Sequence, residues 1–219
     1  MTKNARRQSA RVREYLSQHR AKLKLLEKMW ADSRVQCYDD KEMPDQDEIR
    51  DLGSAFLAGP TSWLQILEFN WRCKAVELLR EAGFEGWIYV PESRGLKKEG
   101  DFPDRAYIHY WESDRLFGPY MKFGTTKKIV WIPRNSGELL GLNTNLELGL
   151  MLGMIAAGRE TSLFVGWPVD AARMGLPDHY SVVRQGVKRH DTLRHLCYAV
   201  VGKVPPEDLV QDLDDDFPF

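Results

Sequence analysis

The feature that most constrains the fold is a regular alternation between short apolar runs and segments with helical spacing, which begins at Gly53. The apolar runs are bounded by Gly or Pro and are predicted to be buried strands, over residues 54–58, 87–90, 128–132 and 162–166. Helical patterns lie between them, over residues 71–81, 105–121 and 145–157. This alternation predicts an α/β fold, with a parallel sheet, helices on both faces and a ligand crevice beyond the carboxyl ends of the strands.

Charge divides the chain of 219 residues into unlike parts, although the formal net charge is only −1. Residues 1–30 carry nine Lys or Arg against two Glu, residues 31–52 carry eight acids against three bases, and residues 203–219 carry six acids against one base. We therefore predict an N-terminal extension over 1–52, one domain over 53–202 and an acidic tail.

The extension has apolar residues at helical spacing, which predicts an amphipathic helix over residues 9–29 with a basic opposite face. Nucleic acid or an anionic surface could bind the basic residues of 1–30, but docking on the chain's own body or on a second subunit is the simpler expectation. We expect a homo-oligomer, most simply a dimer, with this helix packed across a subunit boundary. The acidic stretch over 39–51 is predicted to be a linker.

Several classes of protein are disfavoured. No run approaches the roughly 18 apolar residues that a membrane helix needs, and the N-terminus lacks the apolar centre of a secretory signal, so we expect a cytoplasmic protein. The three cysteines are scattered and never form a CxxC pair, which indicates reduced thiols. The chain has neither GxGxxG nor GxxxxGK[ST], which argues against a dinucleotide-binding Rossmann enzyme and a P-loop NTPase.

Three of the predicted strands finish in similar sequences, LAGP, YVPES and WIPRN. Because the carboxyl ends of parallel strands meet at one edge of a sheet, we expect the following residues to line the crevice: Gly59, Pro60, Glu92, Arg134 and Asn135. Arg72 lies early in the helix after LAGP and is expected to reach the crevice, where it would pair with a phosphate or with Glu92.

The segment NTNLELG places a carboxylate near the same edge. Asn143, Thr144 or Asn145 can cap a helix whose first turn holds Glu147. The helix dipole and free backbone N–H groups stabilise a carboxylate in that position, so we expect Glu147 to be ionised and aimed at the crevice. A purely capping role is the alternative for Glu147.

The chain resembles the nucleoside 2-deoxyribosyltransferase superfamily in seven ordered segments, which are FLAGP (56–60), NWRCKAVELL (70–79), GFEGWIYVPE (83–92), YWE (110–112), VWIPRN (130–135), NTNLELG (143–149) and LFVGWPVDA (163–171). It is most similar to the branch with a TTNxExG-like element, and the resemblance covers about residues 53–200. The resemblance implies a flavodoxin-like fold, a nucleoside or nucleotide ligand and no metal or redox cofactor. It also implies active sites that a neighbouring subunit often completes.

The resemblance assigns roles to two carboxylates. Glu147 matches the nucleophile that attacks the anomeric carbon, so that the base leaves and a second base or water then takes the sugar. Glu112, beside Trp111, matches the acid that protonates the leaving base. The segment between the helix that carries Glu112 and the next strand is longer than in the family, so Asp114 is an alternative candidate for the acid that protonates the leaving base. Trp111 and Trp131 flank the crevice and are expected either to stack on a base or to pack in the core.

Two departures from the family pattern bear on function. The family's first strand carries a tyrosine that orients the nucleophile, whereas this chain has Ala55 and Phe56 there. Gly141 stands where a sugar-binding aspartate is common, which leaves Asn143 and Asn145 as the nearest polar groups for a sugar hydroxyl. We expect an N-glycoside-cleaving enzyme, either a transferase or a hydrolase. The alternatives are a nucleotide-sensing module and an assembly subunit with a degenerate pocket.

Overall fold

The computed structural model describes residues 20–40, 42–60, 71–95, 104–117, 126–134, 141–159 and 162–207. Its strands are β1 Val35–Gln36, β2 Ser54–Ala58, β3 Trp87–Tyr89, β4 Thr126–Trp131, β5 Ser162–Gly166 and β6 Arg189–His190. Its helices are α1 Arg20–Ala31, α2 Gln46–Leu52, α3 Trp71–Ala82, α4 Arg105–Phe117, α5 Leu142–Ala156, α6 Gly175–Asp178, which continues as a π-helical turn over His179–Arg184, and α7 Leu193–Val200.

The six strands form one sheet in the order β1-β3-β2-β4-β5-β6, and all neighbours in it are parallel. The strands from β2 onward have the flavodoxin-like order, and β1 extends the sheet beside β3. The fold class predicted from the alternation of strands and helices is therefore confirmed. Strand order reverses between β2 and β4, and sheets of this kind bind their ligands at such a switch point.

Both faces of the sheet are covered, because successive residues of a strand point to opposite sides. Phe56 and Ala58 of β2 join an apolar cluster with α4 and α5, whereas Leu57 joins a second cluster with α1, α3 and α7. Every residue of β2 is buried. Within the described ranges, no helix has the length and the apolar character required to span a membrane.

The second half of the acidic stretch over 39–51 is helical and not the linker that the sequence predicts, because α2 begins at Gln46. Asp45 caps α2, because its carboxylate accepts hydrogen bonds from the backbone N–H groups of Asp47 and Glu48. Ile49 is 1% exposed and anchors the helix in the protein. The spacing of Asp45 and Glu48 is that of a capping box, a signal that marks the start of a helix in the sequence.

The helix of the extension docks on the body of its own chain. Residues 20–31 form α1, and residues 9–19 of the predicted helix lie outside the described residues. Leu26 is 0% and Met29 1% exposed, and both belong to the cluster that includes α3. Lys28 also forms an ion pair of 2.9 Å with Glu77 on α3. Of the two docking surfaces considered for this helix, its own body is the one observed, and the homo-oligomer stays a prediction.

Helix bounds differ from the predicted ones where they affect the site. The structure describes α4 as far as Phe117, and residues 118–121 of its predicted span lie outside the described residues. The next helix, α5, begins at Leu142 rather than at residue 145. Glu147 is consequently in the second turn of α5, and the residue before the helix is Gly141 in the left-handed conformation, with φ 58°.

We predict that Leu26→Ala lowers the free energy of unfolding by about 2–5 kcal/mol, because the leucine is fully buried between α1 and α3. Lys24→Ala, on the exposed side of α1, is the control and should cost much less. Urea unfolding at two protein concentrations measures both effects. If α1 were held only by a second subunit, the unfolding midpoint would rise with protein concentration, contrary to this prediction.

Candidate active site

The carboxyl ends of β2 and β4 approach each other closely at the switch point. A Cβ atom at Gly59 would lie 2.3 Å from the carbonyl oxygen of Trp131 and 2.5 Å from the ring of Trp71, so a side chain cannot fit there. The carbonyl of Pro60 accepts a hydrogen bond of 3.2 Å from the indole of Trp71. The Pro60 ring is also a near neighbour of Gly141, at the start of α5. The ends of both strands and the start of α5 therefore adjoin.

A buried ion pair stabilises this edge of the sheet. Arg72 and Glu92 are each 2% exposed, and their nearest nitrogen and oxygen atoms are 2.7 Å apart. Arg72 also donates to the carbonyl of Leu57 at 3.0 Å and to that of Gly59 at 2.6 Å. The pairing with Glu92 was one of the two expected for Arg72, and it is the one observed. It joins α3 to the carboxyl ends of β2 and β3.

Two carboxyl groups come together beside this edge, one from α4 and one from α5. The charge of Glu112 is close enough to raise the pKa of Glu147, and the charge of Arg72 acts on Glu147 in the opposite direction. The hydroxyl of Tyr38 donates a hydrogen bond to the carboxylate of Glu112. Burial and the neighbouring Glu112 raise the pKa of Tyr38, so its hydroxyl keeps its proton and acts as a donor.

Burial raises the pKa of Glu147 to about 7, with a further contribution from Glu112. This shift opposes the ionisation that the sequence predicts for Glu147 in the free protein. Two physical reasons explain the difference. The second turn of a helix gains little from the dipole, and loss of solvent opposes a charge more strongly than the dipole favours it.

Asp114 has a partner of its own. Its carboxylate lies 3.6 Å from the guanidinium of Arg115. Of the two acids considered for the second role, Glu112 is the one whose charge acts on Glu147. Gln36, from β1, accepts a hydrogen bond of 3.0 Å from Arg115 and so helps to fix α4 against the edge of the sheet.

Trp111 and Trp131 are core residues, and each is 2% exposed. The guanidinium of Arg115 lies 4.1 Å from the centre of the Trp111 ring, and the ring of Tyr38 meets Trp111 edge-on at 5.0 Å. A base therefore has no open face of Trp111 on which to stack. Of the two alternatives, packing in the core is the one observed, and the expectation that Trp111 binds substrate by stacking is wrong.

The remaining predicted residues of the rim lie at β4 and α5. Arg134 follows β4 and donates to the side-chain oxygen of Asn145 at 2.7 Å. Asn143 is exposed and lies one helical turn before Glu147, on the same side of α5. Asn135 is outside the described residues.

Tyr38 is a residue of the candidate site that the sequence did not predict. It follows β1, in the extension that the resemblance does not cover, and it is 74 residues distant from Glu112 along the chain. The segment RVQCY around it is rich in residues that favour strands, which is a weak signal in so short a run.

No protein-family model matches this chain, and no curated protein matches it. What the site can do must therefore be inferred from its residues. Its central feature is a pair of neighbouring carboxyl groups, one partly protonated and one hydrogen-bonded to a tyrosine, at the ligand-binding edge of a parallel sheet.

We predict that Glu147→Gln makes the protein more stable than the wild type above pH 7. The folded wild type keeps a proton up to pH about 7, whereas the unfolded chain loses it near 4.5, so its stability falls as the pH rises between those values. The difference in the free energy of unfolding between Glu147→Gln and the wild type should reach about 3 kcal/mol well above pH 7 and vanish below pH 4. Urea unfolding across this range measures it.

Glu27→Gln, on the exposed side of α1, is the matched control for the charge that is removed. It should leave the pH dependence of stability unchanged. Parallel stability curves for wild type and Glu147→Gln across the whole range would show that burial does not oppose ionisation of Glu147.

Proposed function

We propose that this protein cleaves N-glycosidic bonds of nucleosides or nucleotides, with Glu147 as nucleophile and Glu112 as general acid. The pair formed by these carboxyl groups at the switch point is the observation that carries the proposal. Cleavage through a covalent intermediate needs two carboxyl groups in different protonation states near one anomeric carbon. The resemblance to the nucleoside 2-deoxyribosyltransferase superfamily supports the same assignment.

In the first step the ionised carboxylate of Glu147 attacks the anomeric carbon, and the bond from that carbon to the base nitrogen breaks. The electron pair of that bond goes to the base, which takes a proton from Glu112; this is the proton that Glu147 gives up to Glu112 when it ionises. The product is a glycosyl ester on Glu147 and a free base. In the second step Glu112, now a base, accepts a proton from water or from an incoming base, which attacks the anomeric carbon and releases Glu147.

The raised pKa of Glu147 bears on this mechanism, because the attacking carboxylate must be ionised. Because the pKa of Glu147 is about 7, the nucleophile is only partly ionised at neutral pH. The positive charge that develops on the sugar in the transition state favours its ionised form, as does Arg72. The reverse assignment, with Glu147 as the acid and Glu112 as the nucleophile, is the mechanistic alternative that the raised pKa favours.

We predict that Glu147→Gln abolishes base release while leaving the fold intact. Glu112→Gln should slow release by about 100-fold or more, and by less when the leaving base is already activated, because such a base needs no proton. A panel of nucleosides and nucleotides, with and without a second free base, followed by chromatography, measures release and exchange. Asp114→Asn is the matched control and should do little.

The same variants separate the two assignments. An external nucleophile such as azide should restore cleavage to Glu147→Ala and give a glycosyl azide of inverted configuration if Glu147 is the nucleophile. If azide restores the inverted product only to Glu112→Ala, the roles are reversed. Unchanged turnover in both variants would disprove a carboxylate mechanism at this site.

We predict that Tyr38→Phe slows base release by about 10-fold with little change in KM, because the hydroxyl orients Glu112 rather than binding the substrate. The loss should shrink for an activated leaving base, which does not depend on the acid. Tyr107→Phe is the control, since its hydroxyl donates to the carbonyl of Tyr38 at 2.8 Å and not to a carboxylate. Equal losses in both variants, independent of the leaving base, would indicate a structural role for Tyr38.

A further inference from the structure

Arg94, which follows β3 at the carboxyl edge of the sheet, joins the N-terminal extension to the rest of the protein. Nε and one terminal nitrogen of its guanidinium donate to the two carboxylate oxygens of Asp40, at 2.7 Å and 2.6 Å. The terminal nitrogens also donate to the carbonyls of Trp30 in α1 and, at 2.8 Å, of Val35 in β1. The backbone N–H of Arg94 donates to the carboxylate of Asp39 at 2.6 Å. One arginine therefore fixes three successive parts of the extension, and a bidentate pair of this kind fixes their geometry as well.

The contact with Asp40 also fixes the turn over residues 37–40, in which Tyr38 lies. The backbone N–H of Asp40 donates to the carbonyl of Cys37 at 3.3 Å, which closes the turn. The backbone N–H of Cys37 donates in return to the carboxylate of Asp40 at 2.8 Å. The same carboxylate therefore binds Arg94 and holds the backbone directly before Tyr38.

Tyr38 itself is held at its backbone and at its ring. Its N–H donates to the carbonyl of Glu92 at 2.9 Å, and its carbonyl accepts a hydrogen bond of 2.8 Å from the hydroxyl of Tyr107. Its ring, in a residue that is 1% exposed, packs edge-on against Trp111. A tyrosine that is fixed in this way cannot reach another acceptor without moving its backbone. The hydrogen bond from its hydroxyl to Glu112 consequently depends on the position of the turn.

We propose that Arg94 is a positioning residue of the active site, which acts through the turn over residues 37–40 and the hydroxyl of Tyr38 on the carboxyl group of Glu112. The inference rests on the proposed function, in which Glu112 is the general acid. It goes beyond that function because it makes residues 30–40 of the extension a part of the active site, supplied by the same chain. Small displacements of an acid from its productive position slow a reaction markedly, so anchoring of the turn affects the rate.

A double-mutant cycle on base release tests this series of contacts. Arg94→Gln should slow release by about 10-fold with little change in KM, as Tyr38→Phe does, because both changes release Glu112 from its position. The loss should shrink for an activated leaving base, which does not need the acid. Arg94→Gln added to Tyr38→Phe should cause no further loss. If the two losses multiply instead, Arg94 acts independently of Tyr38 and the inference is wrong.

Arg80→Gln is the matched control for a general loosening of the extension. Arg80 also pairs with an aspartate of the extension, Asp32 at 2.8 Å, and donates to backbone carbonyls. Its side chain is 26% exposed, compared with 31% for Arg94. Its hydrogen bonds within the described ranges lie outside the turn over 37–40. Arg80→Gln should therefore leave base release unchanged, and a loss equal to that of Arg94→Gln would contradict the proposal.

A spectroscopic measurement tests the inference without catalysis. In protein labelled with ¹³C-tyrosine, the ring signals of Tyr38 are identified by their loss in Tyr38→Phe. In Arg94→Gln these signals should move toward their positions in Glu112→Gln, because both changes weaken the same hydrogen bond. They should stay in place in Arg80→Gln. Asp40→Asn is a milder change that preserves the size of the side chain, and it should move the signals in the same direction by a smaller amount.

The two measurements separate this inference from the proposed function. Tyr38 signals that are unchanged in Arg94→Gln and in Asp40→Asn would overturn the positioning role, even if the wild type releases bases. Tyr38 signals that move in a protein whose wild type releases no base would support the contact between Arg94 and the site and reject N-glycoside cleavage.

Discussion

The ion pair between Arg72 and Glu92 is the interaction on which the geometry of the site depends. With 2% exposure on each side chain, it links the start of α3 to the carboxyl ends of β2 and β3. Loss of one partner would leave the other charge buried, which costs several kcal/mol. The same guanidinium also acts on Glu147, so one residue both fixes the edge of the sheet and favours the ionised form of the proposed nucleophile.

The electrostatics of the site follows from two opposing effects. Burial and the nearby Glu112 favour a proton on Glu147, while Arg72 opposes it. The dipole of α5 is worth about 1 kcal/mol or less in such a position, whereas the rise of the Glu147 pKa from 4.5 to about 7 corresponds to more than that. Burial therefore outweighs the dipole in setting the charge of Glu147.

The sequence predicts most of the fold, because long apolar runs and helical periodicity identify β2, β4, β5, α3 and α5 within a few residues. It does not predict β1 or β6, since two residues are too few to show a period. At the site, the helix pattern of NTNLELG predicts Glu147 and the resemblance adds Glu112, and the charge of Glu112 acts on Glu147. Burial of Trp111 and the contact from Tyr38 depend on packing between distant segments, and no local pattern contains that information.

The position of β1 affects how the site behaves when the protein is warmed. This strand pairs with β3 through only two residues and is at the edge of the sheet, where local opening requires the least free energy. Tyr38 lies two residues after it and donates a hydrogen bond to Glu112. Local unfolding of this edge would break the hydrogen bond from Tyr38 to Glu112, the proposed acid, while the strands around Arg72 stay folded. We therefore expect local opening of this edge, rather than unfolding of the core, to set the temperature at which the site loses its geometry.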